Sequence, residues 1–236
     1  PAEAIVMRFT ADQPGRIFLR VRLDRPERFR TTGDGPGRLL MTGQLENGVD
    51  GRGVEYACRV AVLAQGGSAW EEGERLEVVA ADAVLLCITA ATNAQTFGGR
   101  NCTDALAASG ADLAQVVRRA ATAGWDGLLA EHVADYRHYF ERVALHLGPA
   151  APDAADRSTP ARLLALQAGQ ADPGLAALYF NFGRYLLISS TRPGGLPANL
   201  QGIWAAEIQT GWNGDWHLDA EECNFWPAEV CNLSEL

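Results

Sequence analysis

The sequence lacks the motifs that mark the commonest catalytic and cofactor-binding sites. It contains no GxSxG nucleophile elbow, no phosphate-binding P-loop, no glycine-rich dinucleotide fingerprint and no HExxH zinc motif. Its five cysteines are widely spaced and form no CxxC pair, so they indicate no zinc site. Cys58 and Cys87 lie in strand-like stretches and are predicted to pack as small hydrophobic residues. The sequence therefore predicts neither a metal ion nor an organic cofactor.

Basic clusters and long apolar runs are also missing. The chain has 20 Lys and Arg against 29 Asp and Glu, a net charge of −9, whereas a nucleic-acid partner requires a positive face. No apolar run reaches the roughly 20 residues of a membrane span. The opening residues, PAEAIVMRF, lack the charged and apolar regions of a signal peptide. The sequence thus predicts no nucleic-acid partner and no membrane span. The compartment stays open.

Residues 1–103 have the period-two patterning of β-strands. IFLRVRL (17–23) alternates apolar and charged residues, as in a strand with one covered face, and VEYACRVAVLA (54–64) repeats the alternation. AVLLCITA (83–90) is continuously apolar, which is typical of a strand covered on both faces. Glycine-rich turns separate these runs, with no helix pattern between them. Residues 1–103 are therefore predicted to form part of an antiparallel β-sandwich.

From residue 104 onward the apolar residues recur with the period of an α-helix. Residues 104–155 are predicted to be a helical linker, with one helix capped by Asp112 and a second beginning after Gly124. Residues 156–236 are predicted to begin a second, helical domain, in which a third helix starts at Asp172. That helix carries a broad apolar band, typical of a helix buried in a helical assembly, formed by Leu175, Leu178, Tyr179, Phe182, Tyr185 and Leu186.

Residues 196–229 combine aromatic rings with amide, histidine and carboxylate side chains. Four of the six tryptophans lie here. A sugar presents C–H faces that stack on aromatic rings and hydroxyls that need directed hydrogen bonds, so this mixture favours a saccharide site. Glycoside hydrolysis also needs carboxyl groups as acid and as base or nucleophile. The available carboxylates include Asp215, Asp219, Glu221, Glu222 and Glu229. Two simpler interpretations stay open: tryptophans anchor cores, and acidic runs suit helix N-termini.

Several motifs closely resemble glycoside hydrolase family 95, the 1,2-α-L-fucosidases. They are RPGGLPANLQGIW (192–204), Trp212, a histidine-leucine pair at 217–218 and NFWPAEVCNLSE (224–235). Similar stretches upstream are LDRPERF (23–29), AEHVADYRHYFERVALHLG (130–148) and ALYFNFGRYLLISSTRPGG (177–195). The resemblance implies a multidomain β and α protein: an N-terminal β-sandwich, a helical linker and an (α/α)6 barrel. It also implies inverting cleavage of terminal α-1,2-linked L-fucose from a fucosylated oligosaccharide or glycan.

The resemblance assigns roles to residues of the last segment. His217 matches a sugar-binding histidine, and Asp219 stands where the family has the first of two asparagines that hold the attacking water. HLDAEECNFW is one residue shorter than the family pattern, so the second asparagine has no counterpart and Glu221 is the nearest substitute. Asp219 and Glu221 are therefore the candidate catalytic residues. Three interpretations follow: an active variant with Asp219 as the base, a relative with altered sugar specificity, or a chain with impaired catalysis.

The candidate substrate-binding residues are His217, Asn199, Gln201, Trp204 and Trp212. Asn199, Gln201 and Trp204 either contact the sugar or brace the loop. Since the family's general acid and its polarising aspartate belong to later barrel segments, the sequence is expected to be an internal fragment. Such a fragment is expected to be inactive alone and to expose apolar helix faces. Alternatives to the fucosidase are an α-L-galactosidase of the same family, a non-catalytic carbohydrate-binding relative, and a purely structural module.

Overall fold

The structure, a computed structural model, describes residues 3–94, 104–149, 153–154, 156–214 and 222–236. In these residues β-strands come first and helices follow. The strands are β1 (Ile5–Thr10), β2 (Ile17–Arg22), β3 (Phe29–Gly33), β4 (Arg38–Gln44), β5 (Glu55–Gln65), β6 (Ser68–Glu72), β7 (Arg75–Ala81) and β8 (Ala83–Thr92). The helices are α1 (Ala105–Phe140), α2 (Thr159–Gln167), α3 (Pro173–Ser190), a 3₁₀ turn (Gly211–Gly214), α4 (Glu222–Phe225) and α5 (Pro227–Val230). The described residues up to His132 form one compact unit, and those from Val133 form a second.

The first unit contains two antiparallel sheets. One has five strands in the order β1-β8-β5-β4-β3, and the other has three in the order β2-β7-β6. Buried residues of both sheets form a single apolar cluster: Ile17, Leu39, Val60, Val62, Leu76, Val78, Ala81, Val84 and Leu86. The two sheets therefore pack face to face, which confirms the predicted antiparallel sandwich.

The five-stranded sheet is covered on its other face as well, by α1. Ala61 of β5 and Cys87 of β8 pack against Leu113, Val116 and Ala120 of the helix. This second core explains the continuously apolar sequence of β8, as predicted. It also corrects the interpretation of residues 54–64 as a strand with one covered face, because Ala61 and Leu63 of β5 belong to the cluster under the helix. Alanine gives little periodic signal in a sequence, but its small side chain lets the helix approach closely.

Helix α1 begins earlier than the sequence predicts. Asp104, not Asp112, is at its start: the Asp104 carboxylate accepts a hydrogen bond from Ala107 N at 3.0 Å, and Asp112 lies buried inside the helix. Contacts with the sheet stabilise the added turns, since Thr89 Oγ1 donates to the carbonyl of Ser109 at 2.9 Å. The predicted division at Gly124 is confirmed, because this residue has φ 64° and ψ −171°, well outside helical values.

The predicted start of α3 is confirmed, whereas α2 was not predicted. Asp172 caps α3 by accepting a hydrogen bond from Leu175 N at 3.0 Å. Both carboxylate oxygens of Asp172 also accept from Arg162 of α2, at 2.8 and 2.9 Å. This bidentate ion pair joins the two helices. None of the residues of α2 is buried. The helix therefore has no buried apolar face of the kind by which a helix is recognised in a sequence.

The apolar band predicted on α3 is mostly exposed. Leu175 is buried, but Leu178, Tyr179, Phe182 and Tyr185 are exposed in the described part of the chain. This exposure agrees with the expectation that apolar helix faces of this chain are left uncovered, since the other described elements pack on a different side of α3. The buried side includes Arg184, Leu187 and Ile188.

Arg184 is buried within this side and is 2% exposed. Its guanidinium donates to the carbonyls of Tyr139 and Val143 at 3.0 Å each, where α1 ends. A cation is favourable at a helix C-terminus, and the two carbonyls replace the water that the charge loses. Arg184 thus lies in the core of the second unit, although the apolar pattern of the sequence does not predict a charged residue there.

Candidate functional site

The loop after α3 is attached to the end of that helix by a buried hydrogen bond. Thr191, which caps α3 at its C-terminus, is buried and accepts from Ala198 N at 3.0 Å through Oγ1. Ala198 is itself buried. Because the hydrogen bond closes a stretch of only seven residues, it fixes where the sequence NLQG (199–202) begins.

A tight turn follows at residues 199–202. Gly202 N donates to the Asn199 carbonyl at 2.9 Å, and the Asn199 side-chain oxygen accepts from Gln201 N at 3.0 Å. Gly202 has φ 64°, the left-handed region that glycine adopts without steric cost. The ring of Trp204 lies against Gly202, so that a Cβ at this position would be 2.8 Å from the Trp204 Cζ3 atom. The turn thus needs glycine both for its backbone conformation and for the approach of the indole.

Amide side chains connect this turn to two other segments. Gln201 Nε2 donates to the carbonyl of Gly211 at 2.5 Å, at the start of the 3₁₀ turn. Asn224 Nδ2, from α4, donates to the carbonyl of Asn199 at 3.1 Å. The Asn199 side-chain oxygen and the Gln201 amide nitrogen are therefore used within the loop. These contacts favour the bracing role for both residues over direct hydrogen bonding to a sugar.

Trp212 is the most exposed aromatic residue of the described site. Its side chain is 83% exposed, and its backbone has φ 57°. A bulky residue at positive φ is a genuine outlier that costs on the order of 1–3 kcal/mol and persists only where surrounding structure enforces it. The hydrogen bond from Gln201 to Gly211 is one such constraint. Trp204 is also accessible, at 48% exposed. The loop therefore presents two indoles to solvent, one of them on a strained backbone.

The remaining candidates lie outside the described residues. These are His217, Asp219 and Glu221. The helix that follows them is well supported: Phe225, Ala228, Cys231 and Leu233 pack against Leu187 and Ile188 of α3. Arg142 donates to the Asn232 carbonyl at 3.1 Å. It also pairs with Glu235 at 2.5 Å, and the pKa of that carboxyl is lowered by a backbone hydrogen bond and by this partner. Position 222 is thus the start of an anchored segment.

Among the described residues no group of three His, Cys, Asp or Glu side chains comes together in a way that would hold a metal ion. No described helix is both long and apolar enough to cross a membrane. The sequence had given no signal for the bridge from Asn224 or for the buried Thr191. An asparagine in a polar, aromatic segment looks the same whether it binds a ligand or a neighbouring carbonyl.

Comparisons with known proteins agree with this architecture. Residues 1–96 match the N-terminal domain of glycosyl hydrolase family 65, and residues 124–236 match the catalytic domain of glycosyl hydrolase family 95. Both matches are thus to domains of glycoside hydrolases, in the order of the sandwich and the helical domain described above. The match of residues 124–236 to the family 95 catalytic domain confirms the resemblance seen in the sequence motifs.

Three proteins similar to this chain carry fucosidase names. The chain is 29% identical to "Alpha-L-fucosidase 2" of Arabidopsis thaliana, over 100% of this chain and 30% of the relative. It is 39% identical to "Probable alpha-fucosidase A" of Aspergillus niger over 52% of this chain, and 38% identical to the protein of that name in Aspergillus oryzae over 46%. The chain spans 15% of the length of each fungal relative.

Proposed function

We propose that the protein is an inverting α-L-fucosidase that releases terminal α-1,2-linked L-fucose from oligosaccharides or glycans. The family match of residues 124–236 and the names of the relatives support a fucosidase, and the exposed indole of Trp212 supports a sugar site in this loop. In this proposal α2 and α3 are early helices of an (α/α)6 barrel. The proposal keeps the domain bounds predicted from the sequence, which are 1–103, 104–155 and 156–236.

The proposed roles of the site residues follow from the motif. His217 binds the sugar, and Asp219 acts as the base on the attacking water, with Glu221 as the alternative carboxylate. A carboxylate accepts hydrogen bonds only, so Asp219 would take a proton from water directly, whereas an asparagine amide would only orient it. Trp212 stacks on the C–H face of the sugar. Asn199 and Gln201 keep the loop in place, with Trp204 packed on the turn beside them.

The observation that carries the sugar-binding part is the conformation of Trp212. An indole that is 83% exposed contributes little to the core. A contact between this indole and a ligand would explain why the strained, positive-φ backbone of Trp212 is maintained. Stacking on an aromatic ring contributes about 0.5–1.5 kcal/mol beyond burial, and 1.4 kcal/mol corresponds to a tenfold change in affinity. Trp212→Ala, which keeps the backbone strain, is expected to raise KM about tenfold. Trp70→Ala, an exposed tryptophan of β6, is the matched control.

The test of the reaction is proton NMR of 2′-fucosyllactose with protein expressed from the complete reading frame. Early release of the β-anomer of L-fucose is the result expected of inversion, whereas the α-anomer would indicate retention. The 236-residue chain is assayed alongside it.

An α-L-galactoside of the same linkage tests the sister activity, since the two sugars differ only in the C6 hydroxyl. The substitution of Asp219 for the family asparagine and the shortened motif make this comparison necessary. If neither sugar is released but 2′-fucosyllactose binds with Trp212-dependent affinity, the protein is a carbohydrate-binding relative and the fucosidase proposal fails.

A further inference from the structure

Asn224 connects two segments that the sequence separates by 25 residues. It lies in α4, the short helix that follows the proposed catalytic residues Asp219 and Glu221 in the chain. Its Nδ2 atom donates to the carbonyl of Asn199 at 3.1 Å. The same carbonyl accepts from Gly202 N at 2.9 Å and so closes the turn. The Asn224 amide therefore donates to the same carbonyl oxygen that closes the turn.

The turn carries this connection further along the site. Gln201 donates to the carbonyl of Gly211, the residue before Trp212. Ala198 N donates to Thr191 at the end of α3. Through residues 198–202, α4 is thus connected to the segment of the exposed indole and to the buried end of α3. The side-chain hydrogen bond of Asn224 ties α4 to this turn.

The anchoring of α4 and α5 does not depend on Asn224. Phe225, Ala228, Cys231 and Leu233 belong to the apolar cluster on α3, and Arg142 holds the carbonyl of Asn232. Loss of the Asn224 amide would therefore leave these helices in place. The relative position of α4 and the turn is what would change.

We infer that Asn224 is a positioning residue that fixes the 199–202 turn relative to the start of α4. This inference rests on the proposed function, because the turn and α4 flank the segment that would hold the base and the sugar-binding histidine. Asn224 acts through other residues: it orients the Asn199 carbonyl, and with it the Gln201 contact that supports Trp212. A displacement of about 1 Å in such a frame lowers a catalytic rate by as much as about 100-fold.

The kinetic test is Asn224→Asp in protein from the complete reading frame, assayed on 2′-fucosyllactose. Aspartate has the same shape but no donor, and its charge is repelled by the Asn199 carbonyl. We expect kcat to fall by about tenfold or more while the melting temperature matches that of Asn232→Asp. Asn232 is a suitable control because its side chain is exposed and makes no hydrogen bond among the described residues. Unchanged kcat in Asn224→Asp, or a fall that only follows the loss of folded protein, would overturn the inference.

A second measurement separates this inference from the proposed activity. Hydrogen exchange by mass spectrometry is compared in the two variants over peptides that contain residues 198–204. Faster exchange of the Gly202 amide in Asn224→Asp alone shows that the amide holds the turn, even if the wild-type protein releases no fucose. Equal exchange in both variants would refute the positioning role, whatever the protein hydrolyses.

Discussion

Replacement of Gly202 by alanine tests how the tryptophan-rich loop is held. The residue has φ 64°, and a left-handed conformation costs a residue with a Cβ about 1–2 kcal/mol. The new Cβ would also be 2.8 and 2.9 Å from Cζ3 and Cε3 of the Trp204 ring. Since Trp204 is half exposed, the ring can move outward, and the lost contact adds on the order of 1 kcal/mol. The free energy of unfolding of the second unit is therefore expected to fall by about 2–3 kcal/mol.

Two other glycines of the same unit separate these contributions. Gly169 has φ 87° and nothing within 4 Å of a built Cβ, so Gly169→Ala measures the backbone cost alone. Gly183, within α3, also has nothing within 4 Å, and its replacement by alanine is expected to stabilise the helix by about 0.5–1 kcal/mol. Urea unfolding, monitored by tryptophan fluorescence, measures the free energy of unfolding of all three alanine variants. If Gly202→Ala costs no more than Gly169→Ala, the Trp204 ring is not held against the turn.

Two further predictions concern the helix cap and the cysteines. Asp172→Ala removes both the cap of α3 and the ion pair with Arg162, and is expected to lower stability by about 1–3 kcal/mol; Asp172→Asn keeps the cap and should cost less in the same urea assay. Burial raises the pKa of the Cys87 thiol to about 11, so at pH 8 only about one molecule in a thousand carries the reactive thiolate. In a Cys102→Ser background the exposed Cys223 should react with a thiol reagent first, and rapid labelling of Cys87 would contradict its burial.

The sequence was informative wherever one residue type had one local role. Gly124 interrupts a helical pattern and Asp172 precedes one, and both have the predicted function in the structure. The start of α1 was not predictable in this way, because Asp104 and Asp112 are both followed by apolar residues. Packing of the first turns on the sheet decided between them. The burial of Arg184 was not predictable for a similar reason, since its partners are backbone carbonyls at the end of α1.

The sequence predicted where the candidate site lies but not which role each of its residues has. The motif identified Asn199, Gln201 and Trp212 together. Composition cannot say which of them faces inward, because an amide binds a sugar hydroxyl and a backbone carbonyl with the same geometry. The structure shows that the two amides are engaged within the loop, while the indole is exposed. His217 and the two candidate carboxylates stay predictions.

The double coverage of the five-stranded sheet has a consequence for how β5 tolerates change. Neighbouring residues of this strand belong to different cores: Val60 fills the space between the sheets, and Ala61 lies under α1. Removing methyl groups at Val60 would open a cavity, whereas adding them at Ala61 would push the helix away. In a saturation scan, β5 would therefore show no alternation between sensitive and insensitive positions. Position 60 would reject smaller residues, and position 61 would reject larger ones.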